Sequence, residues 1–129
     1  MRQVVKHLVW ALGLAVATAT VAAAQETMPE GVTKEMIEEG AKLFSGLGIC
    51  MVCHGADGAG VPNLGADLTD DEWAHSDGSF EGILKTIKEG VSSEKSTSRT
   101  VMPPKGGSSL NNEQLKAVAA YVWSLSHKK

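Results

Sequence analysis

Cys50-Met51-Val52-Cys53-His54 holds both cysteines of this 129-residue chain, three positions apart, with a histidine directly behind them. Any group that both thiols grip ties the backbone down at one point, and the rest of the chain must wrap around that point. Little else is available to fold around. The chain has two Phe, one Tyr and three Trp, and one of those, Trp10, lies in an apolar leader. A domain this small with so few large side chains usually needs a staple or a prosthetic group at its centre.

The leader has the pattern of an export signal. Arg2 and Lys6 form a short basic lead, Leu8 to Ala19 carries no charge, and Val21-Ala22-Ala23-Ala24 offers a small-residue cleavage site ahead of Gln25. The apolar run is short and rich in Ala and Thr, which favours cleavage over a membrane anchor. The expected organisation is a signal peptide over 1–24 and one domain over 25–129. Loss of Arg2 and Lys6 takes the formal charge from −3 to −5. That acidic balance argues against nucleic acid and anionic membrane surfaces as partners.

Helices joined by long loops are the expected fold. Thr33 is placed to cap a helix through about Leu47, with Met36, Ile37, Gly40, Ala41, Phe44 and Leu47 as its inward stripe. The Gly-rich stretch 55–65, with Pro62 inside it, reads as loop. A short helix is expected to open at Thr69-Asp70-Asp71-Glu72, where acids suit a first turn. Ser79 caps the next helix, carrying Phe80, Ile83, Leu84 and Ile87, and Gly90 ends it. Residues 92–100 form a polar Ser/Thr loop, and Val101-Met102-Pro103-Pro104 is expected to be non-helical. Asn111 and Gln114 match a capping box ahead of an apolar stripe of Leu115, Val118, Ala119, Val122 and Leu125. No stretch alternates like a strand. The fold class is all-α.

The pentapeptide admits four chemistries. A redox dithiol belongs at a strand-to-helix turn, and the strands are missing. Structural zinc needs four ligands, whereas Cys50, Cys53 and His54 give three at most, and His75 and His127 lack finger spacing. A plain disulfide leaves the histidine unexplained. Haem attachment uses all three side chains: two thioethers to the vinyl groups and an imidazole to the iron.

The chain resembles a class I c-type cytochrome over essentially the whole of 25–129. Gly40 and Phe44, Cys50 to His54, Pro62-Asn63-Leu64, Met102-Pro103-Pro104, and Val118 with Tyr121 carry the likeness. Asn63 to Trp73 and Leu115 to Leu125 are similar to the haem c domains of cbb-type terminal oxidases. The resemblance implies one covalent haem c, with the first and last helices crossing at Gly40 and with Phe44 and Tyr121 beside the crossing. It assigns Cys50 and Cys53 to attachment and His54 and Met102 to the iron. The Pro62 carbonyl would orient His54, with Leu64 and Trp73 in the pocket. Met102 stands in a loop stiffened by two prolines, apart from the other methionines; read without the family it could equally fill a gap in the core. His75 is the rival ligand.

A Met/His iron suits single-electron transfer and leaves little room for substrate. The implied function is a periplasmic electron carrier, not an enzyme, working between redox proteins such as a dehydrogenase and a membrane oxidase or reductase, as a monomer or weak oligomer. Met51, Val52, Ala56, Ala59 and Val61 form the candidate docking patch. The alternatives are a fixed haem c subunit of a dehydrogenase or oxidase, and a haem enzyme or gas sensor with an open sixth position.

Overall fold

A computed structural model describes residues 27–127; the leader read at 1–24, its cleavage site, and residues 128–129 lie outside the described residues. Four α-helices follow in order: α1 (Lys34–Ser45), α2 (Met51–His54), α3 (Phe80–Glu89) and α4 (Asn112–Ser126), with a 3₁₀ turn at Pro104–Gly107 before α4. No strand forms among the described residues; two isolated antiparallel bridges pair Val61 with Gly65 and Val91 with Met102. The all-α expectation holds.

Local chemistry sets the helix starts. The Thr33 side chain accepts from the Met36 N–H at 3.2 Å, and Ser79 Oγ accepts from the Gly82 N–H at 3.0 Å. At α4 the capping box is reciprocal: Asn111 Oδ1 accepts from the Gln114 N–H and Gln114 Oε1 accepts from the Asn111 N–H, both at 3.0 Å. Each such cap satisfies an N–H left over by helix geometry and stabilises by about 1 kcal/mol.

The core is the seam between α1 and α4, with α3 laid against α4. Phe44, Leu115 and Val118 are fully buried there, and Val122, Leu125 and the α3 residues Ile83 and Ile87 extend it. The helices touch backbone to backbone at Gly40, where an added methyl would overlap the Ala117 carbonyl and lie 2.8 Å from Tyr121 Cβ. Beside this contact the Phe44 and Tyr121 rings meet edge-on, centroids 5.3 Å apart at 65°. Edge-to-face geometry sets the positive ring edge against the negative face.

Three expectations are corrected. Helix α1 stops at Ser45, because Gly46 leaves helical dihedrals and the Gly46 and Gly48 N–H groups both turn back to the Leu43 carbonyl. Leu47 is therefore thrown outward, 73% exposed, and Leu43 takes the buried place. No helix forms at Thr69–Glu72. There the Asp67 and Asp70 carboxylates accept the N–H groups two residues on, Thr69 at 2.7 Å and Glu72 at 3.0 Å, a local turn that competes with helix. Pro104 opens the 3₁₀ turn, since its fixed φ and missing N–H suit a first helical position. The single turn of α2 was not anticipated.

The start of α3 carries an acid-sensitive element. Asp77 Oδ1 accepts from the Ser79 hydroxyl at 2.6 Å and its N–H at 3.0 Å, and these bonds, the hydroxyl first, hold the carboxyl below its usual 3.8. A lowered folded-state pKa contributes stability above the unfolded value, and that stability is lost as pH falls through the folded one. Asp77→Asn is expected to flatten the loss of stability below about pH 4 while the neutral-pH fold persists, read by circular dichroism during acid titration.

Candidate haem-binding cleft

Helix α2 and its N-cap present the Cys50-Met51-Val52-Cys53-His54 motif. Cys50 is its N-cap residue and Cys53 and His54 lie in its single turn; both cysteines are free thiols. Cys50 Sγ lies 3.4 Å from the Gly48 carbonyl, and burial pushes its thiol above the usual 9.0. Directly before it, Ile49 sits at φ 50° with a half-exposed side chain. A β-branched residue strongly disfavours that left-handed conformation, so the surrounding turn imposes it.

His54 is oriented by the backbone. Its Nδ1 donates to the Ala66 carbonyl at 2.9 Å, which leaves Nε2 of the neutral ring with the free lone pair. A metal-binding imidazole needs this arrangement: one nitrogen fixed, the other available. The acceptor corrects the assignment to Pro62. The Val61 carbonyl accepts from both the Leu64 and Gly65 N–H groups, at 2.9 and 3.0 Å, so Pro62 rides at the tip of a tight turn. It is exposed and lies outside the cleft. Gly65 lies so close to the Cys53 backbone that no Cβ would fit, and this contact brings Ala66 alongside the histidine.

Met102 lines the cleft from a separate segment. Its N–H donates to the Val91 carbonyl at 2.9 Å and its carbonyl accepts from the Val91 N–H at 2.8 Å, which ties the methionine segment to the end of α3. Cys50, Cys53, His54, Leu64, Trp73 and Met102 all line the same cleft, which encloses about 1260 Å³, its open mouth included. Leu68, Ile83, Ile87 and Val118 supply apolar wall, with Asp67, Glu72, Ser96 and Thr97 among its polar lining. His75 also reaches this cleft, but as an exposed residue whose backbone carbonyl accepts from Thr86 Oγ1 at 2.6 Å.

These residues fit haem c. Two thiols, an imidazole with its second nitrogen already committed and a thioether share one largely apolar cleft. No group of three or more His, Cys, Asp or Glu suited to a bare metal ion occurs among the described residues.

The model of the family described as cytochrome C oxidase, cbb3-type, subunit III matches residues 35–122. The chain belongs to that family. Its members are c-type cytochromes, which implies haem c and electron transfer. Among similar curated proteins, the cbb3-type cytochrome c oxidase subunit CcoP of Rubrivivax gelatinosus is 38% identical over 79 residues, covering 60% of this chain and 23% of the relative. Subunit FixP of Sinorhizobium medicae (strain WSM419) is 40% identical over 82 residues, again covering 60% of this chain and 26% of the relative. The chain thus spans about a quarter of the length of these relatives. Among solved structures, cytochrome CL from the marine methylotrophic bacterium Methylophaga aminisulfidivorans is similar at a TM-score of 0.56 and 26% identity, over 72% of this chain and 55% of that one.

Within the family frame, sequence reasoning missed Ala66, because a backbone acceptor leaves no mark in the side-chain pattern. Leu68, within the family motif, and Ile83 and Ile87, on the apolar face of α3, are cleft wall as well. The expected docking patch is only partly surface. Val52 is 64% exposed and Ala56 and Ala59 are exposed, but Met51 packs against the core and Val61 is half-buried in its turn.

Proposed function

We propose that this chain is a periplasmic electron carrier with one haem c, held covalently through Cys50 and Cys53 and ligated by His54 and Met102. The observation that carries the reading is the convergence of these four side chains on one cleft, with His54 already oriented by Ala66. Bound there, haem c supplies a one-electron iron couple. The chain's own residues hold and enclose it. Ala66 fixes the imidazole, Val91 anchors the methionine segment, and the α1–α4 seam supplies rigid support. Outside, Leu47, Ile49, Val52 and Val101 expose apolar surface, and Ile49 and Val101 also line the cleft. Small apolar patches of this kind suit a partner that must leave quickly.

Export of the domain rests on the leader at 1–24. The names of the relatives favour a second reading, a fixed haem c subunit of a terminal oxidase. Co-purification with a membrane complex at fixed stoichiometry supports the subunit; recovery from the periplasmic fraction alone supports the carrier.

Absorption spectra of the purified oxidised and reduced protein, with and without carbon monoxide, test the site. The expected result is a low-spin spectrum with a methionine–iron band that carbon monoxide leaves unchanged. Ready binding of carbon monoxide by the reduced wild-type protein would sink the Met/His assignment.

A further inference from the structure

The Ser/Thr loop, residues 92–100, runs along the cleft beside the turn that carries Asn63 and Leu64. Thr100 Oγ1 donates to the Asn63 carbonyl at 3.0 Å, across 37 residues of chain. Ser98 Oγ donates to the Leu64 carbonyl at 3.4 Å, across 34 residues. The loop is braced for this: the Thr100 N–H donates to Ser98 Oγ at 3.3 Å, and Ser96 Oγ lies 3.0 Å from Ser98 Oγ. Leu64, Ser98, Thr100 and Met102 all line the cleft.

These bonds link the two halves of the site. On one side, Asn63 and Leu64 belong to the turn that continues into Gly65, pressed on Cys53, and Ala66, bonded to His54. On the other side, Met102 follows Thr100 by two residues. We infer that Thr100 and Ser98 clasp the methionine segment to the histidine loop, and so act as positioning residues that keep Met102 seated. This inference rests on the proposed ligation by Met102.

The physical argument concerns a weak ligand. A thioether stays on iron only while its loop stays closed, and an external ligand binds in proportion to the open fraction. The bridge to Val91 holds Met102 to α3 but does not join it to the turn beside His54. The clasp does. Loss of one net hydrogen bond raises the open fraction roughly two- to tenfold, and the apparent affinity for an added ligand rises by the same factor.

The test is imidazole titration of the oxidised holoprotein, followed by loss of the methionine–iron band. Thr100→Val is expected to bind imidazole roughly two- to tenfold more tightly than wild type. Thr100→Ser, which keeps the hydroxyl, returns to the wild-type affinity. Ser98→Ala, whose bond is longer, shifts the affinity in the same direction by a smaller factor, and decides the question if Thr100→Val fails to accumulate. Asn111→Ala, which removes the distant α4 cap, lowers the unfolding midpoint without moving imidazole affinity. Wild-type affinity in both clasp variants overturns the inference, as does an equal shift in Asn111→Ala. A wild-type protein without the methionine–iron band overturns the Met102 assignment instead, so the two failures are distinct.

Discussion

Met102→Ala is expected to keep its haem but lose the methionine–iron band, and its reduced form is expected to bind carbon monoxide stoichiometrically where the wild type binds none. The proposed attachment residues Cys50 and Cys53 lie at the N-cap of α2 and within it, and Met102 reaches the cleft from a separate segment anchored at Val91. Under the proposed ligation, removing the thioether opens a coordination position without touching the cysteines or His54. Its potential is expected to fall, because a methionine ligand raises the potential of the iron. His75 is the competing histidine that lines the cleft among the described residues. A Met102→Ala protein that still excludes carbon monoxide, and admits it only when His75→Ala is added, would assign the replacement ligand to His75. Carbon monoxide exclusion in both variants would remove Met102 from the iron altogether.

The second large effect is on stability, and its sign is the informative part. Alanine is favoured over glycine in a helix by about 1 kcal/mol, so Gly40→Ala would stabilise an isolated α1. In the folded chain the new methyl meets the Ala117 carbonyl, a backbone atom that has no alternative rotamer. The helices must separate, which loosens Phe44 against Tyr121 and uncovers Leu115 and Val118. Overpacking of this kind costs about 1–3 kcal/mol for a small group, and a branched side chain costs more. The expected outcome is net destabilisation for Gly40→Ala and failure to hold a fold for Gly40→Val, read from urea midpoints. An unchanged or raised midpoint in Gly40→Ala would show that the seam tolerates separation.

Much of this fold was legible because its signals are local. Thr33, Ser79 and the Asn111–Gln114 pair each act within one helical turn, so residue type alone identifies them. The role of Gly40 depends on a partner more than seventy residues away, and only the family resemblance supplied it. At Thr69–Glu72 the acidic residues had two uses, helix dipole or turn acceptor, and the two-residue reach of Asp67 and Asp70 decided for the turn. Leu47 kept helical spacing with the stripe, but Gly46 ended the helix before the spacing applied. Cys50, Cys53 and His54 announce themselves by side-chain chemistry, and Met102 does so only beside the family motif. The Ala66 carbonyl does not, and neither does the bonding of Ser98 and Thr100 within a loop that reads as featureless polar chain.

The chain positions of the two α1–α4 strips also bear on the order of folding. These strips, 34–45 and 112–126, lie at opposite ends of the described chain, and the segments carrying the thiols, the histidine and the methionine all fall between them. Bringing such distant strips together means closing a long loop before any burial offsets the lost entropy, which is slow compared with forming a helical turn. Until that closure the cleft has walls but no frame. A group taken up before that closure would meet thiols still within reach, and the same contact that completes the core would then enclose it.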